Sequence, residues 1–177
     1  NFDFCLQKAS GKYFMWLADD DELFGSEMIQ SLVKNLEINK EIVVASPRWN
    51  LKENESHSII MPLRDYMNKN VLKRAIKYTW KSDDSFFYGL HRTKNLRNIN
   101  FPVFLSWKQT IPTYWCYSYL YQIILSGKIL CLPSNANQWI NNNYTKKFDP
   151  RNFNVPEKNA RFINFLYSPF FKSTGII

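Results

Sequence analysis

The chain has 177 residues, of which 45% are apolar and 17% aromatic, so it is long enough for one domain with a sizeable hydrophobic core. Its three cysteines form an odd set in no metal-ligand spacing, which argues against a secreted disulfide framework and favours a reducing compartment. The formal net charge of +8 predicts attraction to polyanions, and no apolar run approaches the roughly 20 residues of a membrane span.

An apolar and aromatic segment runs into a cluster of acids near the start of the chain. A short helix is predicted over Asp3–Ser10, ending before Gly11. The segment Tyr13–Glu22 then reads Y-F-M-W-L-A-D-D-D-E, and its apolar part has the length of a strand buried on both faces within a parallel sheet. The acids follow at the carboxyl end of this strand, where open α/β sheets bind ligands.

Carboxylates this close together repel one another unless a cation lies among them. Hard oxygen ligands suit Mg²⁺ or Mn²⁺, and magnesium sites commonly combine one or two carboxylates with substrate phosphates. One interpretation is therefore a metal-bridged ligand that carries phosphate. The alternative is a solvated acidic turn or the N-terminus of a helix, where Asp and Glu are favoured in any case.

A βαβ unit is predicted around the acids. Ser26 is a candidate N-cap for a crossover helix with one apolar face. The residues of this face are Met28, Ile29, Leu32, Val33 and Leu36. The β-branched segment Glu41–Ser46, ended by Pro47, is the next predicted strand. The polar segment Arg48–Pro62 after it is interpreted as a loop or an edge hairpin.

A basic amphipathic helix is predicted over Asn70–Trp80. Its apolar face consists of Val71, Leu72, Ala75, Ile76 and Trp80. Its basic face consists of Lys69, Lys73, Arg74, Lys77 and Lys81. Such a helix can bind phosphates or a membrane, although a surface helix with a solvated side is the commoner use of the pattern.

A further strand is predicted over Ser85–Leu90, where Gly89 indicates a bulge or a close approach of the backbone to a ligand. His91–Thr93 is predicted to open a short helix. Because His91 has no second metal-ligand residue at a suitable spacing, we interpret it as a packing or hydrogen-bonding residue.

Arg92 is the better functional candidate of this segment. A guanidinium group suits the recognition of a diphosphate. The alternative use of Arg92 is an ordinary salt bridge to Asp83 or Asp84.

The next part of the chain predicts one more helix and strand. The helix extends over Pro112–Ser126 and ends at Gly127, and the strand over Lys128–Leu132 is closed by Pro133. We place the end of the first domain here, at residue 133.

Residues 134–177 form the second predicted unit. The Asn-rich and basic stretch Asn135–Arg151 is interpreted as a flexible loop. An amphipathic helix is predicted over Glu157–Tyr167, which packs on the domain or lies on a membrane surface.

These segments together resemble a known family. Ala9–Glu22, A-S-G-K-Y-F-M-W-L-A-D-D-D-E, is similar to the middle of the nucleotide-binding half of family 2 glycosyltransferases of the GT-A fold, in which an A-x-G-x-Y stretch leads a strand into the aspartate motif. Phe87–Thr93, F-Y-G-L-H-R-T, resembles the aromatic-Tyr-Gly-x-x-Arg segment that this family places beside sugar and acceptor, and Ser126–Pro133 fits the segment that closes the match.

The resemblance covers about residues 1–133 and implies an α/β fold. The expected architecture is a GT-A-like (nucleotide-diphospho-sugar transferase) three-layer α/β/α sandwich with a mixed central sheet. The first strands of that sheet are expected upstream of Asn1, so that the chain is a fragment truncated at its N-terminus and lacks half of the donor site.

The resemblance also implies roles for individual residues. Asp19 would contact the ribose or the metal, and Asp20 or Asp21 would bind the Mn²⁺ or Mg²⁺ that bridges the donor's diphosphate. Gly89 and Arg92 complete the expected nucleotide-sugar site. A metal on the diphosphate would stabilise the charge that develops on the leaving nucleotide.

The general base of catalysis is left unassigned. Inverting members of the family usually place an acidic base at the start of the helix before the equivalent of Gly127, where this chain has Trp115 and Cys116. No Asp or Glu occurs between Asp84 and Asp149. The substitute candidates are Asp83, Asp84 and His91.

The expected activity is metal-dependent, inverting transfer of a hexose-like sugar from a nucleotide-diphospho-sugar to a glycan, lipid or cell-surface polysaccharide. A catalytically impaired, glycosyltransferase-like binding domain is the first alternative. A basic, aromatic nucleic-acid-binding module is the second, but it leaves the aspartates unexplained, since acids repel phosphate; nucleic acid is therefore not an expected partner. We expect a cytoplasmic protein, with a peripheral contact at the inner membrane face as a further expectation.

Overall fold

The computed structural model describes the backbone of residues 2–17, 21–23, 27–54, 57–60, 63–81, 84–99, 105–106, 109–110, 115–133 and 139–141, and the side chains of 4–17, 27–48, 63–81, 84–99 and 119–133. The helices are α1 (Phe2–Lys8), α2 (Met28–Ile38), α3 (Val71–Lys81), α4 (Thr93–Leu96) and α5 (Trp115–Ser126), and a 3₁₀ helix spans Ser85–Tyr88. The strands are β1 (Tyr13–Met15), β2 (Asp21–Leu23), β3 (Ile42–Ser46), β4 (Trp49–Asn54), β5 (His57–Ile60), β6 (Leu90–Arg92), β7 (Leu105–Ser106), β8 (Gln109–Thr110), β9 (Lys128–Cys131) and β10 (Trp139–Asn141). Within these ranges, no helix combines the length and the apolar character needed to cross a membrane.

A four-stranded mixed sheet forms the centre of the described structure, in the order β1-β6-β3-β9. Strand β6 runs antiparallel to both of its neighbours, with Tyr13 opposite Arg92 and Val44 opposite His91. Strands β3 and β9 are parallel. The predicted α/β class with a mixed sheet is therefore confirmed.

Strand β1 is not the interior parallel strand that its apolar sequence predicts. It lies at the end of the strand order, pairs with antiparallel β6, and has half-buried side chains. Strands β1 and β3 point in the same direction, as the predicted βαβ unit requires, but β6 lies between them. Helix α2, whose N-cap position is Glu27, therefore crosses over one strand; the predicted cap Ser26 lies outside the described residues.

A second sheet has the order β2-β10-β4-β5. Strands β4 and β5 are antiparallel and β5 is at the end of the order, which confirms an edge hairpin within Arg48–Pro62. Strand β10 lies between β2 and β4, so the prediction of a flexible loop is wrong at Trp139–Asn141. The predicted helix Glu157–Tyr167 lies outside the described residues.

Two hydrophobic cores lie on opposite faces of the central sheet. Tyr13 and Met15 pack against one core, and Phe14 packs against the other, as the alternation of side chains along a strand requires. The buried residues of the first core are Met28, Leu32, Leu36, Ile42, Ala45 and Leu90. The second core is rich in aromatic residues, and its largest members are Tyr66, Tyr78, Phe86, Tyr119, Leu120, Ile123 and Ile124. Helix α2 thus covers one face of the sheet, and α3 and α5 cover the other.

Helix α3 has the predicted position but a different buried face. Its buried residues are Arg74, Ala75 and Tyr78. Its exposed apolar residues are Val71, Leu72, Ile76 and Trp80. The ring of Tyr78 decides this orientation, because it packs edge-on against Tyr66, Phe86 and Tyr121 with ring-centroid distances of 4.7 to 5.7 Å.

Candidate functional site

The acidic cluster is described only in part. Asp19 and Asp20 lie outside the described residues, whereas Asp21 begins β2, where it is opposite Asn141 of β10. Because Asp21–Leu23 is a strand and α2 begins only later, the alternative that these residues start a helix is wrong. The metal-binding roles of Asp20 and Asp21 stay predictions.

The chemistry of the acidic run fits a divalent cation. Asp19–Glu22 supplies four consecutive carboxylates, which are the hard oxygen ligands that Mg²⁺ and Mn²⁺ prefer. Among the residues that the structure describes, no group of three or more His, Cys, Asp or Glu side chains is arranged to hold a metal ion. A metal bound by the acidic run stays a prediction, because Asp19 and Asp20 lie outside the described residues.

Gly89 is required by close packing between two segments of the protein. It joins the 3₁₀ helix to β6, where the sequence predicts a continuous strand. A Cβ atom at this position would lie 2.7 Å from Cγ1 of Val44 and 3.1 Å from the carbonyl oxygen of Ala45. The predicted close approach is thus made to strand β3, and contact with a nucleotide-sugar stays a prediction.

Arg92 is buried and lies in β6, not in the helix that the sequence predicts to start at His91; only 5% of the residue is exposed. Its Nε donates to the carbonyl oxygen of Ile42 at 2.8 Å, and its Nη2 donates to those of Leu36 and, at 3.3 Å, Asn39. Carbonyls at the C-terminal end of a helix lack partners within the helix and carry its negative dipole. The described contacts of Arg92 therefore cap α2 and join it to β3.

His91 is buried beside Arg92, with 1% of its surface exposed. Its Nε2 lies 2.8 Å from the carbonyl oxygen of Phe87, to which Nε2–H donates. Burial lowers the pKa of His91 to about 4, so the imidazole is neutral at pH 7. Its Nδ1 is buried and has no hydrogen-bond partner within the described ranges. This environment suits a packed, neutral histidine better than a general base that meets substrate and water.

The two aspartates proposed as substitute bases lie just before the 3₁₀ helix. Asp84 is exposed and occupies the N-cap position of that helix without a side-chain cap bond. Asp83 lies outside the described residues. Neither assignment as a catalytic base is tested by these positions, and both stay predictions.

A carboxylate that the sequence analysis missed joins β1 to α2. The hydroxyl of Tyr13 donates to Oε1 of Glu37 at 2.5 Å, Lys40 Nζ donates to Oε2 at 2.5 Å, and Lys12 also donates to Oε1. These hydrogen bonds, with that from Lys12 the largest contribution, hold the pKa of Glu37 far below its usual range. The i, i+3 spacing of Glu37 and Lys40 predicts an ion pair from the sequence alone. The contacts of Glu37 with Lys12 and Tyr13 depend on the fold.

Arg74 is a second buried arginine, although the helical pattern predicts it on the exposed basic face of α3. Its Nε donates to the carbonyl oxygen of Ile124 at 3.0 Å, and its Nη1 donates to those of Asn68 and Lys69 at 2.9 and 3.2 Å. Burial lowers the pKa of Arg74. Arg74 thus links α3 to the end of α5, much as Arg92 links β6 to the end of α2.

The predicted site residues fall into two groups. Gly89, His91 and Arg92 pack against strand β3 of the central sheet, whereas Asp21 belongs to the second sheet.

No protein-family model matches the chain, and no curated protein is significantly similar to it. A functional assignment therefore depends on the chemistry of these residues.

Proposed function

We propose that the chain is part of a metal-dependent glycosyltransferase that uses a nucleotide-diphospho-sugar donor and a glycan or lipid-linked acceptor. The run of carboxylates Asp19–Glu22, which is separated from the end of β1 by three residues, carries the proposal. Four adjacent carboxylates repel one another, and a bound divalent cation both removes that repulsion and attracts phosphate. A GT-A-like arrangement is part of the same proposal. The mixed sheet with a core on each face is the coarse architecture that this arrangement requires.

In this proposal Asp20 and Asp21 hold Mn²⁺ or Mg²⁺, and Asp19 contacts the ribose or the metal. When bound, the metal would stabilise negative charge on the leaving nucleoside diphosphate. Gly89 and Arg92 hold strand β6 against β3, and Arg92 also contacts the end of α2. Their contact with the nucleotide-sugar is part of the same proposal.

A second candidate is a domain of the same kind that binds the donor but turns it over slowly or not at all. Two observations favour it. No acidic residue occurs between Asp84 and Asp149, the part of the chain where the general base is expected. His91, the substitute on β6, is buried with a pKa of about 4, which makes it a weaker base than an ordinary histidine.

Calorimetric titration with a nucleoside diphosphate tests the binding proposal. We expect uridine or guanosine diphosphate to bind in the presence of Mn²⁺ and not in the presence of a chelator. Asp20→Asn and Asp21→Asn should each weaken binding at least about tenfold, because each removes a predicted metal ligand. The matched control is Asp65→Asn, which changes an exposed aspartate whose partner is Lys77 at 3.2 Å.

Binding that persists without metal, or that both aspartate variants leave intact, would contradict the proposal. Metal-independent binding of RNA by the same protein would favour the nucleic-acid-binding alternative. If the diphosphate binds as expected, an assay of donor hydrolysis and transfer separates the two candidates: tight binding without turnover identifies the impaired domain.

A further inference from the structure

Besides Val71 at its first position, helix α3 exposes three large apolar side chains that its sequence pattern places in the core. The exposed fractions are 56% for Leu72, 48% for Ile76 and 79% for Trp80. The helix is held to the protein by its other face, through fully buried Tyr78 and through Arg74, whose guanidinium donates to backbone carbonyls. The exposed side chains are therefore not needed to pack α3 on the core.

Exposed apolar residues and exposed lysines form two parallel rows along helix α3. Residues four positions apart lie above one another on an α-helix, so Leu72, Ile76 and Trp80 make one row, which we call the apolar ridge. Lys73, Lys77 and Lys81 follow the same spacing one position later and make the adjacent row, the basic ridge. All six residues are exposed.

The charges of the basic ridge are only partly neutralised. Lys77 pairs with Asp65 at 3.2 Å, and both side chains are about half exposed. Within the part of the chain that the structure describes, Lys73 and Lys81 have no ion-pair partner, and exposed Lys69 lies just before the helix. An anionic occupant of this face would thus gain charge as well as apolar contact.

We propose that α3 docks the protein on the surface of an anionic lipid bilayer. Leu72, Ile76 and Trp80 enter the boundary between headgroups and acyl chains, and Lys73 and Lys81 contact the headgroups. Tryptophan is favoured at that boundary, and an amphipathic helix with a basic row binds there by apolar burial together with electrostatic attraction.

A polyanion such as RNA explains the observations less well. Its phosphates would account for Lys73 and Lys81, but they offer no partner to Leu72 or Ile76, whose exposure is the unexpected feature of the helix. The membrane proposal concerns a different segment of the chain and a different ligand from the proposed nucleotide site, and it holds whether or not the chain transfers sugar.

Sedimentation with lipid vesicles tests the proposal on the whole chain. We expect binding to vesicles of equal parts phosphatidylglycerol and phosphatidylcholine, and much weaker binding to phosphatidylcholine alone. The double variant Ile76→Ser with Trp80→Ser should reduce partition at least about tenfold. Lys73→Gln with Lys81→Gln should reduce it roughly 30-fold at low salt.

Matched controls lie on other helices. Ile38, at the end of α2, is 74% exposed, and Ile38→Ser should leave partition unchanged. Lys34 and Lys94 are also exposed, and Lys34→Gln with Lys94→Gln removes the same charge as the α3 pair. Circular dichroism tests whether each variant is folded. If the double variant Ile76→Ser with Trp80→Ser unfolds, the vesicle binding of Lys73→Gln with Lys81→Gln decides whether α3 is the membrane-binding element.

Three results would overturn the proposal. The first is no binding to anionic vesicles. The second is binding that the controls weaken as much as the α3 variants do, which would reflect net charge alone. The third is a dimer in sedimentation velocity that the apolar pair dissociates while vesicle binding is unchanged, which would make the ridge an interface between copies of the chain.

Discussion

At the scale of single residues, two buried arginines serve as helix caps in this fold. Arg92 donates to carbonyls at the end of α2, and Arg74 donates to a carbonyl at the end of α5. Carbonyls at a helix C-terminus carry partial negative charge, so each guanidinium is stabilised there although no described carboxylate pairs with it. Lysine cannot replace such a residue easily, because one ammonium group does not reproduce the planar fork.

Arg92→Lys should therefore lower the free energy of unfolding by about 2 kcal/mol, since buried carbonyls lose charged donors. Urea denaturation measures this change. Arg97→Lys is the matched control: Arg97 is exposed and its guanidinium donates to the carbonyl oxygen of Ala9 at 2.7 Å, so we expect a change of no more than about 0.5 kcal/mol. Unchanged stability together with weaker nucleotide binding would instead give Arg92 the ligand-binding role.

At the scale of an element, the turn from α5 to β9 shows why a helix ends where it does. Gly127 follows α5, and a Cβ atom there would overlap Cγ1 of Val43 and would lie 3.0 Å from the carbonyl oxygen of Glu41. Glu41 also accepts a hydrogen bond from the backbone N–H of Lys128 at 2.9 Å, so the turn is held against the start of β3. The glycine admits this contact, and β9 can then pair with β3.

Gly127→Ala should destabilise the protein by roughly 2 kcal/mol through overpacking. The midpoint of thermal or urea unfolding provides the measurement. Gly11→Ala is a milder comparison, because a Cβ atom at this exposed glycine would meet only the carbonyl oxygen of Tyr13, at 3.2 Å. Equal effects of the two substitutions would show that the contact with Val43 is not the cause.

Helix α3 shows what a pattern of apolar residues leaves undecided. Its apolar and basic residues predict an amphipathic helix, and the helix is present. The pattern does not determine which side of the helix packs on the core. Tyr78 is amphipathic, and Arg74 is buried only because backbone carbonyls accept its hydrogen bonds. The membrane proposal follows from this difference.

At the scale of the whole molecule, the central sheet carries a neutral histidine between its two cores. His91 lies on β6, between β1 and β3, and its pKa is lowered to about 4 by burial. The unfolded chain binds a proton at His91 with a pKa near 6.5, so below that pH the unfolded state holds more protons than the folded state. Stability is therefore lost as the pH falls from about 6.5 to about 4.

The protonation of His91 on unfolding lowers the free energy of unfolding by about 3 kcal/mol between pH 7 and pH 4. Chemical denaturation at several pH values in this range measures how the free energy of unfolding depends on pH. This dependence should be weaker in His91→Gln, because glutamine keeps a hydrogen-bond donor but does not titrate. The chain has one other histidine, His57, and His57→Gln is the control that should keep the wild-type slope. An unchanged slope in His91→Gln would mean that other groups, such as Glu37, cause the acid sensitivity.

The sequence by itself determined the elements whose signals are local. Helix α2, strand β3, helix α5 and strand β9 follow from periodicity, from β-branched composition and from Gly127, and all four are present near the predicted bounds. The acidic run is likewise visible without a structure, and its metal site stays a prediction because only Asp21 of the named ligands is described, and only in its backbone.

Only the tertiary structure decided the strand order and the roles of the buried polar groups. The position of β6 between β1 and β3, the packing side of α3 and the capping by Arg92 each depend on segments far apart in sequence. Arg92 and Leu36 are 56 residues apart, and Arg74 and Ile124 are 50 apart. A local pattern records what a side chain can do, whereas its partner is selected by the packing of the whole chain. For this reason the structural roles of Arg92, His91 and α3 depend on partners that the sequence pattern does not identify.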